Sequence, residues 1–452
     1  MLPVLTLRLG AVTAATGLVA LVSPRPWLTM AVCNAALAVA AAVDWWRAPG
    51  IDRVGVERDA PDAITLGHAG TVTWTVRNPV RRPLRVALAD ELGPALGAES
   101  RRTRMIVPAG GRARRRVELR PTRRGRFPLR TITVRATGPW GLAARQRTRS
   151  LPHEVTVYPP FHSRAETELR LSRARQLQLG IRPARARGES MEFDSLREYT
   201  VDDELRRIDW AATARSTHAV VRTYRAERNQ TVLVLVDCAR TMAALVGATT
   251  AGVDETAAGV DGTMSIPRLE HAMDAAQAVT RLATGLGDRV GMVAFADRVV
   301  ATVPPRTQRD QLRRLTTAFA TIDARLVEAD YRAAFAHALH NFSRRALLIV
   351  LTELASEAAT ETLVPALPML RQRHLVMVGA VRDPVVETWS RQRPSTVEET
   401  YRRAAALRTL DQRAAVARAL RQQGASVIDT VPGRLAATVS DFYLETKAAG
   451  RL

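Results

Sequence analysis

The 452-residue sequence is almost free of lysine. Lys447 is the only one, although lysine and arginine together number 66. A P-loop requires a lysine that follows a glycine-rich turn and contacts phosphate, and Schiff-base enzymes require a lysine nucleophile. Lys447 follows no glycine-rich loop. The sequence therefore argues against Walker-type nucleotide hydrolysis and against pyridoxal chemistry.

Cysteine and aromatic residues are also scarce. Cys33 lies in an apolar run and Cys238 follows a predicted buried strand, so we predict neither a disulfide nor a zinc site. This usage fits a reducing compartment. Aromatic residues make up 5% of the chain, and the arginines behind the net charge of +22 are interleaved with acidic residues. A nucleic-acid groove would cluster its basic residues. We therefore predict no nucleic-acid partner and expect attraction to anionic membrane lipid instead.

Two apolar runs near the amino terminus are each about long enough to cross the hydrocarbon core of a bilayer. Residues 2–22 carry one charge and residues 26–43 carry none. The segment between them, 23–26 (SPRP), permits only a tight turn. No small-residue cleavage site follows the first run, which argues against a signal peptide. We predict a hairpin of two transmembrane helices over residues 1–48.

Charges beside the second run predict the orientation of this hairpin. Trp45 and Trp46 are typical of a membrane interface. Three arginines follow the second run, whereas the turn holds one: Arg47, Arg53 and Arg58 against Arg25. By the positive-inside rule, the large C-terminal portion should be cytoplasmic. The predicted location is the inner or plasma membrane.

The remainder of the chain divides by its hydrophobic pattern. Residues 51–160 alternate apolar and polar residues, as at Val72, Trp74 and Val76, which predicts a small β-sandwich. Residues 163–228 are arginine-rich and weakly patterned, and we interpret them as a connector. In residues 229–452, continuous apolar strands alternate with helices, which predicts a doubly wound, mostly parallel α/β domain.

One stretch of the connector, residues 195–210 (SLREYTVDDELRRIDW), is dense in charge. We predict that it forms a partner-docking or inter-domain network, whose members are Arg197, Glu198, Tyr199, Asp202, Asp203, Arg206, Arg207, Asp209, Trp210 and Arg215. An alternative makes Glu198 and Asp209 an acid–base pair. However, each carboxylate has an arginine neighbour that would keep it ionised, and no nucleophile motif accompanies them.

Several motifs together resemble a known bacterial family. They are Gly188-Glu189, Glu192-Phe193, LREYTVDDELRRIDWAATAR, Val221-Arg222, Glu227-Arg228 and VLVLVD, with GPWGL (138–142) and VTVYPPF (155–161) upstream. The family is called domain of unknown function 58. The resemblance implies that the doubly wound domain is von Willebrand factor A-like. It also implies an association with MoxR-type AAA+ ATPases.

The resemblance further implies a place for a divalent metal at the ends of the strands, built on an Asp-x-Ser-x-Ser loop. Here that loop is Asp237-Cys238-Ala239-Arg240-Thr241, in which Ala239 offers no side-chain oxygen. Glu353 stands where an Asp is expected, and Ala329 stands near the expected Thr. We therefore predict no cofactor and a degraded metal site of Asp237, Thr241 and Glu353, which leaves magnesium as a candidate ion, with Arg240 competing nearby.

These features favour a non-enzymatic, membrane-anchored adaptor that docks a MoxR-type ATPase, in envelope biogenesis or in the assembly of complexes. No small-molecule substrate is indicated. Two alternatives come from other classes of protein. The first is a metal-dependent adhesion module that binds a partner's carboxylate, and the second is a hydrolase that uses the carboxylates of residues 195–210.

Overall fold

The computed structural model describes residues 2–180, 191–199, 208–215, 218–226, 230–248, 264–308, 310–354 and 359–452. The chain forms two compact units, Met1–Pro159 and Pro160–Leu452. The first unit contains the apolar helices and an all-β body, and the second is a mixed α/β body. Each unit is described separately.

The first unit begins with a short strand and two apolar helices. They are β1 (Leu2–Leu5), α1 (Leu7–Val22) and α2 (Pro26–Arg47). Among the described residues, one helical segment, Pro26–Arg53, is long and apolar enough to cross a membrane. Its apolar side chains are largely exposed, unlike those of a core helix in a soluble protein. The helix α1 is apolar but has only 16 residues.

Two sheets form the body of the first unit, as the alternating pattern predicts. Their strands are β2 (Gly55–Asp59), β3 (Ala63–Thr65), β4 (Gly70–Arg77), β5 (Leu84–Asp90), β6 (Arg102–Val107), β7 (Arg112–Leu119), β8 (Gly125–Thr137) and β9 (Ala143–Tyr158). One sheet has the order β2-β4-β7. The other has the order β1-β9-β8-β5-β6, with β3 also paired to β9. A common core that includes Trp74, Leu88 and Ile132 lies between them, so the body is β-sandwich-like.

The second unit begins with a helix, α3 (Arg164–Gly180), where the sequence predicted only a connector. Among the side chains of α3 that the structure describes, only a narrow stripe is buried: Leu171 joins the core, and Thr167, four residues earlier, is also buried. Polar contacts also hold α3 to the rest of the unit. Arg170 binds Asp441, with Nε and Oδ1 2.7 Å apart. So narrow an apolar stripe leaves little helical periodicity in the sequence, which explains the missed helix.

Between α3 and the large sheet lie β10 (Met191–Glu198) and β11 (Val220–Ala226), which pair antiparallel. A four-residue helix, α4 (Trp210–Thr213), lies between these strands in sequence. An isolated bridge joins Ile208 to Val221 of β11. The described parts of the segment that carries most of the family motif are therefore an antiparallel strand pair and a helical turn.

The large sheet has six strands in the order β16-β15-β12-β17-β18-β19. In chain order, the strands of this part are β12 (Thr231–Asp237), β13 (Leu245–Ala248), β14 (Met264–Pro267), β15 (Arg289–Phe295), β16 (Val299–Arg306), β17 (Leu347–Leu351), β18 (Leu375–Val381) and β19 (Ser426–Thr430). All pairings are parallel except that of β15 with β16. The strands β13 and β14 form a separate antiparallel pair. The sequence predicted the parallel strands but not the edge strand β16.

Helices cover both faces of this sheet. They are α5 (Arg268–Gly285), α6 (Gln311–Phe319), α7 (Tyr331–Asn341), α8 (Val364–Arg371), α9 (Pro384–Arg391), α10 (Val397–Gln422) and α11 (Leu435–Ala448). Side chains of α5, α6 and α11 pack with alternate residues of β12, such as Val234. Side chains of α7, α8 and α10 pack with the opposite set, such as Leu235. The continuous apolar strands are explained by this burial on both faces.

Candidate functional site

The strand order of the large sheet reverses between β12 and β17. Ligands of open α/β sheets bind outside the carboxyl ends of the strands at such a reversal. Asp237 is the last residue of β12, and Thr352 and Glu353 directly follow β17. The sequence also predicted that Asp237 and Glu353 would share a site. We call the surroundings of these residues the strand-end crevice.

Asp237 is completely buried, and both of its carboxylate oxygens accept hydrogen bonds. Oδ1 accepts from the backbone N–H of Ala239 at 2.8 Å. Oδ2 accepts from the hydroxyls of Thr352 at 2.6 Å and Tyr331 at 3.2 Å. The two hydroxyl oxygens are themselves 2.7 Å apart. Four residues from different elements therefore form one closed hydrogen-bonded group.

Burial has the largest effect on the pKa values of Asp237 and Tyr331. Loss of hydration raises the pKa of Asp237 from 3.8 to about 6, although the bonds from Thr352, Ala239 and Tyr331 act in the opposite direction. The charge of Glu353 adds to the increase. Burial, together with the charge of Asp237, also raises the pKa of Tyr331 well above 10, so its phenol stays protonated.

Glu353 is buried against two arginines. Its side chain contacts the guanidinium of Arg413, and its Oε2 lies 2.8 Å from Nε of Arg268. Arg413 is only 4% exposed and also binds Asp429, with Nη2 and Oδ1 2.6 Å apart. Burial alone would lower the pKa of Arg413, but the charges and hydrogen bonds of Glu353 and Asp429 outweigh it and raise this pKa. Arg413 is therefore a fixed cation that links the ends of β17 and β19.

The residues predicted to hold a metal do not fit a divalent ion as they are arranged. The carboxylate oxygens of Asp237 are engaged by three hydrogen-bond donors, and Glu353 already contacts two cations. Thr241 lies in a single helical turn, and its carbonyl accepts a bond from Arg268 at 3.4 Å. Within the described ranges, no group of three His, Cys, Asp or Glu residues could hold a metal.

The prediction that Arg240 competes at this site stays a prediction. Its guanidinium is exposed and pairs with Glu328, with Nη2 and Oε1 2.5 Å apart. The cations at the crevice are instead Arg268 and Arg413, which the sequence analysis missed. One signal was available for Arg413: it shares the helical stripe of Val416, Ala417 and Leu420 and so occupies a core-facing position.

The predicted docking network is only partly described. Asp202, Asp203, Arg206 and Arg207 lie outside the described residues, and Arg197 is placed only as part of β10. Glu198 is exposed and Tyr199 is half-buried. Asp209 is half-buried and caps α4, because its Oδ1 accepts from the N–H groups of Ala211 and Ala212 at 3.0 and 3.1 Å. Trp210 is 70% exposed, and the exposed Arg215 donates to the carbonyl of Ala211. The network itself stays a prediction.

A second buried carboxylate lies in the first unit, at the turn of residues 138–142 (GPWGL). Asp44 of α2 is completely buried there and accepts three backbone N–H bonds, from Trp140 at 2.8 Å, Leu142 at 2.8 Å and Ala143 at 2.9 Å. Thr6, the N-cap of α1, donates its hydroxyl to the carbonyl of Gly141 at 2.5 Å. The start of α1 and the end of α2 are thus fixed to one turn of the sheet.

The fold and its charged crevice define the second unit as an α/β body with internally paired carboxylates at the strand ends. Residues 195–389 match the model of a family described as Protein of unknown function DUF58. The family prediction made from the sequence is therefore confirmed over these residues. The matched region contains β10 from residue 195 onward, the whole of β12 and Glu353, which follows β17.

Mycobacterial proteins are similar to part of the chain. Uncharacterized proteins of Mycobacterium bovis (Mb1516) and Mycobacterium tuberculosis (Rv1480) are each 27% identical over 209 residues, which is 46% of this chain. The match spans 58% of the length of these relatives.

Solved structures match a smaller part of the chain. The CARDB domain of the PF1109 protein of Pyrococcus furiosus, in complex with di-metal ions, covers 23% of this chain and 86% of its own at 13% identity, with a TM-score of 0.17. WR4, an MSP family member of C. elegans, covers 23% and 94% at 11% identity, with a TM-score of 0.15. Scores this low carry no argument about either unit.

Proposed function

We propose that this protein is a membrane-anchored, non-enzymatic adaptor whose second unit docks a cytoplasmic MoxR-type AAA+ ATPase. The observation that carries the proposal is that the charged side chains of the strand-end crevice bind one another. A general acid or base must reach a substrate proton. Asp237 and Glu353 are at most 3% exposed, and both are already engaged. This arrangement supports a binding role better than catalysis.

The proposal includes a von Willebrand A-like character for the second unit. Its support is the strand order of the large sheet, the antiparallel edge strand β16, and the acidic residues at the ends of β12 and β17. Ligands of open α/β sheets bind outside the carboxyl ends of the strands, so we expect the partner to dock at that edge of the sheet. The exposed Trp210 supplies a further anchor of the kind that is common at the centres of interfaces.

For the membrane anchor, we propose that α1 and α2 form a two-pass hairpin with the large C-terminal portion in the cytoplasm. The support is the length and composition of α2, together with the turn of residues 138–142. Thr6 and Asp44 bind that one turn, so the start of α1 and the end of α2 lie close together. A single crossing would separate these ends by the thickness of the bilayer, about 30 Å.

Reporter fusions to the C-terminus test this topology. A fluorescent protein that matures only in the cytoplasm should be bright, and alkaline phosphatase, which is active only in the periplasm, should be inactive. The reverse result would contradict both the orientation and the ATPase partnership, because a MoxR-type ATPase requires cytoplasmic ATP.

Binding between purified proteins tests the partnership. The full chain in detergent should bind a purified MoxR-type ATPase from the same organism. Binding should be the same whether or not the adaptor has first been treated with a magnesium chelator. Absence of binding would contradict the proposal. Binding that requires a divalent ion and disappears in Asp237→Ala would instead support the metal-dependent adhesion module.

A further inference from the structure

A second concave site lies beside the strand-end crevice, at the carboxyl ends of β18 and β19. It is a cleft of about 260 Å³ between α9 and α10. Its charged lining residues are Arg382, Glu387, Arg391, Arg413 and Asp429. At roughly 30 Å³ for each water molecule, the cleft has room for a carboxylate-bearing side chain. We call it the α9–α10 cleft.

Two of the three arginines in the cleft have acidic partners within it. Arg391 pairs with Glu387, one turn earlier on α9, with Nη2 and Oε1 2.6 Å apart. Arg413 pairs with Asp429 at 2.6 Å, and on its other side it contacts Glu353. These four side chains therefore balance one another within the cleft.

Arg382 is the exception. Its backbone N–H donates to the carbonyl of Thr430 at 2.8 Å, which fixes the residue at the end of β18. Its side chain is half-buried, and its Nε is shielded from solvent without a hydrogen-bond partner in the described part of the chain. A buried donor that lacks an acceptor costs free energy, so this geometry favours the arrival of an acceptor from outside.

We propose that the α9–α10 cleft is a binding site for a carboxylate from an acidic segment of the docking partner, with Arg382 as the receiving group. The formal charge of the five lining side chains is +1, from three arginines and two carboxylates, and one carboxylate would neutralise it. A guanidinium binds a carboxylate through two parallel hydrogen bonds. A phosphate dianion would add repulsion from Glu387 and Asp429.

This inference rests on the proposed docking function and specifies its chemistry. The partner's acidic side chain would bind to a guanidinium that is held in place by the sheet, so recognition would need no metal. Arg413 belongs to both the cleft and the crevice. A carboxylate bound in the cleft should therefore affect the ion pairs that Arg413 makes with Glu353 and Asp429.

The test uses the full-length protein in detergent and a fluorescein-labelled peptide of six glutamates, at about 0.15 M salt so that exposed charges are screened. Fluorescence anisotropy should show binding that Arg382→Gln weakens about tenfold. Arg418→Gln is the matched control, since Arg418 is exposed on α10 and does not line the cleft. It should change the affinity less than twofold. Equal weakening by both variants would mean general attraction to a basic surface and would overturn the proposal.

Two further measurements identify the ligand and separate this proposal from the docking function. Inorganic phosphate should not displace the peptide at concentrations where acetate does, and stronger competition by phosphate would overturn the carboxylate assignment. Arg382→Gln should also weaken binding of the ATPase. If the ATPase binds the wild type and the variant equally, the cleft proposal fails while the docking function stands. If the peptide binds through Arg382 but the ATPase does not bind at all, the docking function fails and the cleft remains a carboxylate site.

Discussion

The hydroxyl of Thr352 donates to Oδ2 of Asp237 across 2.6 Å and joins the carboxyl ends of two neighbouring parallel strands. The acceptor is a completely buried carboxylate with a raised pKa. A group at the switch point of the sheet thus changes its charge within a mildly acidic range. Stability and docking should both depend on pH for this reason.

We predict that Asp237→Asn makes the free energy of unfolding less dependent on pH. Because folding raises the pKa of Asp237 from 3.8 to about 6, its contribution is fully present below about pH 4 and is lost as the pH rises through 6. A shift of about two units corresponds to roughly 3 kcal/mol. The stability of the wild type relative to Asp237→Asn should fall by that amount between about pH 4 and pH 8. Denaturant unfolding in detergent at several pH values measures it, and parallel curves would contradict the prediction.

Replacement of Arg413 should destabilise the second unit strongly. Arg413→Met leaves the buried Glu353 and the half-buried Asp429 without their shared cation, at a cost of about 3–5 kcal/mol. The double variant Arg413→Met, Glu353→Gln should lose less than the sum of the single losses, because both single changes remove the same buried contact between Arg413 and Glu353. Arg418→Met on the same helix is the control and should stay within about 0.5 kcal/mol. Additive losses would show that the buried pair is not coupled.

The turn of residues 138–142 should tolerate no side chain at its first position. A Cβ added at Gly138 would lie 2.5 Å from Oδ1 of Asp44 and 2.6 Å from its carbonyl oxygen. Gly138→Ala should therefore lower the stability of the first unit by about 1–3 kcal/mol through overpacking. Gly93→Ala is the matched control, since a Cβ there meets no atom within 4 Å. Thermal unfolding in detergent compares the two, and equal melting temperatures would argue against a tight junction at Asp44.

Trp210 should matter for docking and not for stability. It is 70% exposed, so Trp210→Ala should change the free energy of unfolding by less than about 0.5 kcal/mol. An aromatic anchor at an interface should cost at least about 1.4 kcal/mol when removed, which is a tenfold loss of affinity for the ATPase. Tyr401→Ala removes an equally exposed aromatic residue from α10 and should leave binding unchanged. Similar affinities for the two variants would exclude the α4 region from the interface.

The sequence predicted best those elements whose signal is local. The strands around Leu235 and Ile349 are continuous apolar runs, because both faces of the sheet are buried, and they lie where the pattern indicated. The strand around Trp74 was predicted equally well from its alternating apolar and polar residues. The helix α3 was missed because few of its described side chains are buried and apolar, and because its ion pairs, such as Arg170 with Asp441, join residues far apart in sequence.

The same reason explains what was missed in the crevice. Asp237 and Glu353 were predicted because each directly follows a buried strand. Their partners Tyr331 and Arg413 lie on helices that come from other parts of the chain, and nothing local marks their side chains as facing those carboxylates. The lone lysine is a similar case. The scarcity of lysine argued against two chemistries, whereas Lys447 itself forms a partly buried ion pair with Asp288 that fixes the last helix to the sheet.

The pairing of β1 with β9 has a consequence for the order of synthesis. Thr6 and Gly141 are bonded although 135 positions separate them in sequence. A ribosome therefore releases α1, the turn and α2 well before it makes the strand and the turn that receive them. Under the proposed anchoring, the hairpin enters the bilayer while its sheet is still unfinished, and the sandwich closes later onto helix ends that lipid already holds. A slowed codon tract just before residue 138 should prolong the lifetime of this open intermediate without changing the final fold.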